Sequence, residues 1–451
     1  MTLSRRSLLI AAGAGAGASV APSAAEAVQN DTVRLVDGRD AGLVPDAAKD
    51  QSKALQAAID GAARSGSGLY LPPGVYRTAN LKIDRPVELY GAPGGTVLRY
   101  TGGGSLLAIA DASHVTLFGL TFDGALEPVS EDGPRGLVAV SDCGSLHIEQ
   151  CEVRASTLSG LALNRCGGRI VSSTVSDVVK TAIFSLDATG LEISGNRIQD
   201  IGNNGIQVWR SAPGEDGTTV THNRIERIAA ADGGSGQNGN GINIFRAGNV
   251  IAAQNRITDC AFSAVRSNAG SACQILGNSC ARLGEVALYA EFSFEGAVIS
   301  DNVIETAASG ISITNFNDGG RLAVCANNIV RDLFIREGEE DRRGIGISAE
   351  ADTVIEGNVV ENAPVEGIAL GWLHYLRDVV ATGNVVRNCA IGIGVSAFPG
   401  AGKALVANNV ISGSTTGAIF GMERERTVTA DLSASTTKAP SNITVQGNVT
   451  V

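Results

Sequence analysis

A parallel β-helix is the fold this sequence predicts, on three observations: a repeat of roughly 22–32 residues along most of the chain, an asparagine returning at one point of each repeat, and glycine in excess over aromatics. At 451 residues the chain is too long for one compact core unless it grows in one dimension. Its 57 glycines, 4% aromatics and 2 methionines suit short strands and many turns. Hydrophobic residues at 44% against 18% charged exclude a disordered acidic tail. A net charge of −11, from 35 basic and 46 acidic residues, argues against general nucleic-acid binding, which needs a basic footprint.

The phrase Leu191-Glu192-Ile193-Ser194-Gly195-Asn196-Arg197-Ile198, then Gly205-Ile206-Gln207-Val208, sets the pattern. It returns at 298–304 with Gly310-Ile311-Ser312-Ile313, at 354–360 with Gly367-Ile368, and at 379–386 with Gly392-Ile393-Gly394-Val395. Its asparagine falls at Asn196, Asn223, Asn255, Asn278, Asn302, Asn327, Asn358, Asn384, Asn409 and Asn448, with Ser173, Cys151 and Leu120 at the same point upstream. Each repeat holds three short alternating segments, such as Leu191/Ile193, Ile198 and Ile206/Val208, too brief and too β-branched for helices. No such coil buries its apolar face alone, so coils stack. The asparagine suits a buried turn because it tolerates left-handed backbone and its amide bonds its equivalents above and below. About 14 coils at roughly 4.8 Å each make a rod on the order of 65 Å long.

In chain order, residues 1–27 read as an export signal. Ser4-Arg5-Arg6-Ser7-Leu8-Leu9 precedes a Gly/Ala-rich apolar stretch that ends in Ala25-Glu26-Ala27. Paired arginines point to the twin-arginine export machinery, an ordinary secretory signal being the alternative. Cleavage near Ala27 leaves a periplasmic or secreted chain, and no later stretch has the roughly 18 unbroken apolar residues of a membrane span. Residues 28–100 form an N-terminal cap and first coils, and 101–451 the β-helix repeats. Within the cap, 46–64 carries Leu55, Ala58, Ile59 and Ala62 at helical spacing, and a helix there covers the open end of the column. Leu69-Tyr70-Leu71-Pro72-Pro73-Gly74-Val75-Tyr76 then reads as strand, turn and strand.

This order, Asp46, Ala54-Leu55-Gln56-Ala57-Ala58-Ile59 and then 69–76, resembles the opening of the pectin-lyase-like superfamily of right-handed parallel β-helices. With the paired arginines it is similar, more narrowly, to a bacterial family of twin-arginine-translocated repeat proteins of unassigned reaction. The resemblance spans nearly all of the mature chain and implies the fold rather than a reaction, since the superfamily holds lyases, hydrolases, epimerases and tailspikes. The sequence has no adjacent Asp-Asp pair, no Gly-His-Gly and no Asp-Pro-His-Asp, so no catalytic residue carries over from polygalacturonases or alginate epimerases.

Register locates the candidate site instead, because alternate strand residues point outward and stacked coils align them. Aligned on Ile206, the outward residues include Ala162 and Asn164, Phe184 and Leu186, Gln207 and Trp209, Asn243 and Phe245, Arg266 and Asn268, and Tyr289 and Glu291. Ser312 and Thr314, Gly346 and Ser348, Ala369 and Gly371, and Gly394 and Ser396 follow. Asp187, Arg210, Arg246 and Asn315 lie just past the strand ends, and insertions at 229–240 and 334–343 flank the face. The resemblance places a polysaccharide on this face. Aromatic rings stack on sugars, amides bond hydroxyls and arginines take carboxylates, so an acidic polysaccharide is the expected partner. The substrate-binding set is Asn164, Asp187, Gln207, Trp209, Asn243, Phe245, Asn268, Glu291 and Asn315. A uronate lyase is the leading reaction, with Arg210, Arg246 and Arg266 neutralising the carboxylate and an arginine, Lys180 or Tyr289 as base. A glycosidase needs two carboxyl groups about 5–9 Å apart, and Asp187 and Glu291 lie four coils apart, on the order of 19 Å. A non-catalytic envelope or polysaccharide-binding solenoid is the competing reading.

The eight cysteines form no zinc spacing. Cys273 and Cys280 point inward by register, and Cys143 and Cys166 are a candidate disulfide. The four histidines (His114, His147, His222, His374) occupy different coil positions, and only His374, between Trp372 and Tyr375, has ligand-like neighbours. No cofactor is expected. The acidic run Glu337-Gly338-Glu339-Glu340-Asp341 is either a Ca²⁺ recruiter or a solvated loop.

Overall fold

A computed structural model describes residues 34–129, 135–234, 236–314, 320–336 and 344–451. The signal segment 1–27, Asn315 and the acidic run 337–341 lie outside the described residues. The chain is a single-stranded right-handed parallel β-helix. Each coil places one strand in a 16-stranded sheet and its remaining strands in a 28-stranded sheet. Leu191–Ser194 pairs with Thr219–Thr221, Arg197–Ile201 with Arg224–Ile228 and Asn204–Glu215 with Asn240–Gly248, all parallel. Among the described pairings, only the hairpin of Gly417–Glu423 with Arg426–Thr427 is antiparallel. The alternation that marks each strand decides its faces: Leu191 and Ile193 are buried while Glu192 is exposed. Inward Val, Ile and Leu form one continuous core from Leu43 to Ile443.

Coils also touch through backbone. At the glycine opening the strand after the ladder turn, a Cβ on Gly310 would lie 2.3 Å from Gly346 O, and one on Gly346 would lie 2.3 Å from Gly367 O. No side chain fits that approach.

The asparagine ladder runs unbroken from Asn196 to Asn448. Each backbone N–H and each Nδ2 donates to the Oδ1 of the next asparagine at 2.8–3.0 Å. Ser173 and Cys151 extend it, Ser173 N–H donating to Asn196 Oδ1 and Cys151 N–H to Ser173 Oγ. Two expectations are corrected. Asn328, not Asn327, occupies the rung between Asn302 and Asn358. The left-handed residue is the one before each rung, as at Gly195, His222, Gln254, Gly277, Asp301 and Asn327 itself. The rung residue thus keeps ordinary backbone and supplies only its amide. Asn302→Ala would remove acceptors from Asn278 N–H and Nδ2 and a donor from Ile275 O. In a buried row this should cost about 3 kcal/mol, read as a lower urea midpoint with unchanged slope.

Ahead of the coils, helix Ser52–Ser65 buries Leu55, Ala58, Ile59 and Ala62 and stops at left-handed Gly66. It begins six residues later than its periodicity predicts, because Asp46 is taken up in tying the preceding loop to Val75, accepting from its N–H at 3.0 Å. Strand Leu35–Asp37, which the sequence reading did not single out, starts the 16-stranded sheet by pairing with Gly68–Tyr70.

All eight cysteines are buried free thiols, so the Cys143–Cys166 disulfide is not formed. Burial pushes both thiols up, and Cys166 Sγ donates to Asn164 O instead. Cys273 and Cys280 do point inward. Two histidines do meet: parallel pairing sets Ser145 opposite His114, and the His114 and His147 rings lie 5.2 Å apart. Among the described residues no group of three or more His, Cys, Asp or Glu is placed to hold a metal, and no helix is long and apolar enough to cross a membrane.

Candidate functional site

The outward row follows from strand register. Ala108, Ala139, Ala162, Phe184, Gln207, Asn243, Arg266, Tyr289 and Ser312 are successive partners, continuing through Ser348, Ala369, Gly394 and Phe420. One coil departs from the expected alignment: Ser348 faces Ser312, and Gly346 belongs two residues earlier, in the glycine column.

Aromatic stacking fills the early part of this face. Phe184 and Trp209 meet edge to face at 5.8 Å, and Trp209 and Phe245 at 5.5 Å. Trp209 Nε1 donates to Asn243 Oδ1 at 2.7 Å, which fixes the indole. Arg246 lies 4.7 Å over the Phe245 ring and donates to Ser211 O. Before this stack, Ala108, Ala139, Ala162, Phe184 and Leu186 line an apolar groove with Asn164, whose buried Oδ1 has no partner among the described residues.

Most polar groups expected to meet substrate are turned to the protein itself. Gln207 accepts from Thr181 Oγ1 and Asn243 donates to Gly236 O, and both are buried. Lys180 holds segment 229–240, its Nζ 2.7 Å from both Asp232 oxygens. Arg266 grips Glu291 with Nε and Nη2 at 2.6 and 2.9 Å and reaches Glu285 at 3.4 Å. Its side chain is 11% exposed and that of Glu291 1%. Asn268 donates to the same Glu291 carboxylate, and Arg266 covers the Tyr289 ring at 4.9 Å. Asp187 accepts from Ser211 N–H and Oγ of the next coil. Arg210 donates weakly to Ala188 O at 3.4 Å, and its buried Nε has no partner among the described residues. Thus Trp209, Phe245 and Arg246 lie together on this face, whereas Arg266, Lys180, Gln207, Asn243, Asn268 and Glu291 are engaged in contacts within the protein.

Farther along the same face lies a cleft the sequence reading missed. Tyr289, Ser312, Ser348, Trp372, Met422 and Glu366 line a cavity of about 230 Å³. Glu366 is 7% exposed and opens its strand between Ile345 below and Ile391 above. A side chain at Gly394 would strike it, with a Cβ 2.2 Å from Glu366 Oε2, so that glycine makes room for the carboxyl. Burial, with the neighbouring Glu425 charge, pushes this carboxyl up to about 7. A signal for it existed. The residue before each strand glycine is Asn204, Asn240, Ser309, Ile345, Glu366 and Ile391, and Glu366 is the one charged member, but the outward alignment began after the glycine. Glu350, Glu425 and Arg424 border the cleft as well.

Two sequence families match parts of the chain. One, described as right handed beta helix region, matches 105–232 and 159–319, and one described as rhamnogalacturonase A/epimerase, pectate lyase-like, matches 35–125. No curated protein sequence matches. Among solved structures, the mannuronan C-5 epimerase A-module of Azotobacter vinelandii is 16% identical over 92% of this chain and 99% of that one, TM-score 0.47. The catalytic unit of an alpha-1,3-glucanase from Streptomyces thermodiastaticus is 16% identical over 96% and 71%, TM-score 0.46. A surface adhesin of Streptococcus pneumoniae is 14% identical over 91% and 99%, TM-score 0.43.

Proposed function

We propose that the protein is exported, binds a polysaccharide along the outward face, and cleaves it by proton transfer from Glu366. The carrying observation is that a buried carboxyl, pushed by burial up to about 7 and without a hydrogen-bond partner among the described residues, sits in a cleft on the same face as an aromatic stack. Five coil steps separate Phe245 from Ala369, about 24 Å at the coil spacing, so a chain of several sugars spans both. The apolar floor and the ring faces of Phe184, Trp209 and Phe245 suit pyranose faces.

Charge favours a neutral polymer. Besides Glu366, the described lining of the cleft holds Glu350 and Glu425 against Arg424, and the guanidinium of Arg266 is already matched by Glu291 and Glu285. The acidic substrate and β-elimination expected from the arginines therefore lose their main support. In the reading proposed, Glu366 gives its proton to the glycosidic oxygen, the bond from that oxygen to the anomeric carbon breaks, and water adds to the carbon as a carboxylate takes its proton. Paired arginines Arg5 and Arg6 ahead of the apolar segment at 8–20 support export, with the chain periplasmic or secreted after cleavage near Ala27.

Incubation with neutral glucans and with uronate polymers, scored for new reducing ends and for unsaturated products, tests this. New reducing ends from a neutral polymer are expected. Unsaturated products from a uronate would return the lyase reading. Trp209→Ala should weaken polysaccharide binding at least tenfold, about 1.4 kcal/mol, while Arg282→Ala, an exposed partner of Asp259, leaves it unchanged. A non-catalytic polysaccharide-binding protein is the second reading, favoured by the internal pairing of Lys180, Arg266 and Glu291 in the middle of the face. Binding without turnover of any polymer would establish it.

A further inference from the structure

The strand after the asparagine ladder carries an exposed aliphatic row on the C-terminal coils. Val303, Ile329, Val359, Val385, Val410 and Val449 are successive register partners. Val303, Ile329, Val359, Val410 and Val449 are 42%, 43%, 38%, 41% and 54% exposed. The same position on earlier coils is polar, at Arg197, Arg224, Arg256 and Ser279. This apolar wall is therefore confined to one half of the rod, and contiguous exposed aliphatic surface of that kind marks an interface. Two residues along each strand runs a row of alternating sign, Glu305, Arg331, Glu361 and Arg387, with neutral Ala281 before it and Ser412 after it. Within the chain Glu305 pairs with Arg331 at 3.1 Å and Glu361 with Arg387 at 3.4 Å.

We propose that this wall is the dimer interface with a second copy of the chain, packed antiparallel about a two-fold axis between the coils of Ile329 and Val359. That axis sets Ile329 against the partner's Val359 and Val303 against the partner's Val385. In the charge row it sets Glu305 against the partner's Arg387 and Arg331 against the partner's Glu361, so every facing pair is of opposite sign. A parallel copy in register sets each charge against its own kind, which selects the antiparallel arrangement, and the two-fold closes it at two chains. About this axis the four coils from Val303 to Val385 meet aliphatic to aliphatic over three coil spacings, about 14 Å, while Val410 and Val449 fall on the partner's Ser279 and the partner's Arg256. At roughly 20 Å across, the aliphatic part buries on the order of 300 Å² per chain, below the ~800 Å² of a standard stable interface. The dimer is accordingly a weak, exchanging one.

Sedimentation velocity on the purified protein at concentrations from about 1 to about 100 µM tests this. Monomer–dimer exchange is expected, with Val359→Asp monomeric throughout the range. Arg331→Glu places a carboxylate against the partner's Glu361 and should raise the dissociation constant about tenfold or more. Adding Glu361→Arg to it restores opposite signs at every facing pair and should recover dimerisation. Circular dichroism of each variant confirms that these exposed substitutions leave the fold intact. A monomer at the highest concentration, a trimer, or a double reversal as weak as the single one overturns the proposal.

Discussion

Glu366→Gln is expected to lower turnover by about 10²–10⁴-fold, the range of a lost general acid, while leaving polysaccharide binding in place. The amide fills the same space beside Gly394 but has no acidic proton. In the wild type, turnover should fall as pH rises through about 7, where the carboxyl ionises, and the variant's residual rate should lack that limb. Stability carries a second signature. Burial raises this carboxyl from an ordinary 4.5 to about 7, so between those values the folded protein binds a proton that the unfolded chain has released. Stability should therefore be fullest below pH 4.5 and fall by about 3 kcal/mol as pH rises to 7, and Glu366→Gln should abolish that component. Urea denaturation of both proteins across that pH window measures it. Equal turnover would remove Glu366 from the chemistry, and equal pH slopes would show that the carboxyl is ionised in the folded state.

Arg266→Met should destabilise the protein by about 3–5 kcal/mol, because it leaves the Glu291 carboxylate, almost wholly buried, without its cation. Adding Glu291→Met should recover part of the loss, since two apolar side chains of similar volume need no partner, while Glu285, which Arg266 also meets at 3.4 Å, stays without that cation. Asn268 then loses one acceptor, a smaller cost. Thermal unfolding of the single and double variants gives the comparison. A stable Arg266→Met that no longer binds polysaccharide would reverse this assignment and restore the arginine as a substrate contact.

These two residues show where sequence reasoning reaches and where it stops. Arg266 and Glu291 were placed correctly on the outward face by period-two alternation. Whether they meet solvent or each other depends on side-chain reach across neighbouring coils and on segment 229–240, whose Gly236 packs against the Arg266 guanidinium. Gln207 and Asn243 met the same fate for the same reason. Trp209 and Phe245 kept their expected exposure because large rings in adjacent coils stack upon each other and stay half outside. Glu366 escaped notice because its strand opens at a bend, where alternation no longer says which way a residue points.

Repeat length, alternation and the recurring asparagine determined the parallel β-helix and its outward face from sequence alone, since each is a local pattern repeated until stacking is the one way to bury it, and the helical spacing of Leu55, Ala58, Ile59 and Ala62 determined the helix ahead of it. The ladder's rung at Asn328 rather than Asn327 was decided by hydrogen bonding between coils. Packing between coils likewise decided the free thiols, the covered polar middle and the carboxyl held in the cleft. Those depend on distances between residues about one coil or more apart in the chain, and a one-residue shift within a turn changes which side chains meet.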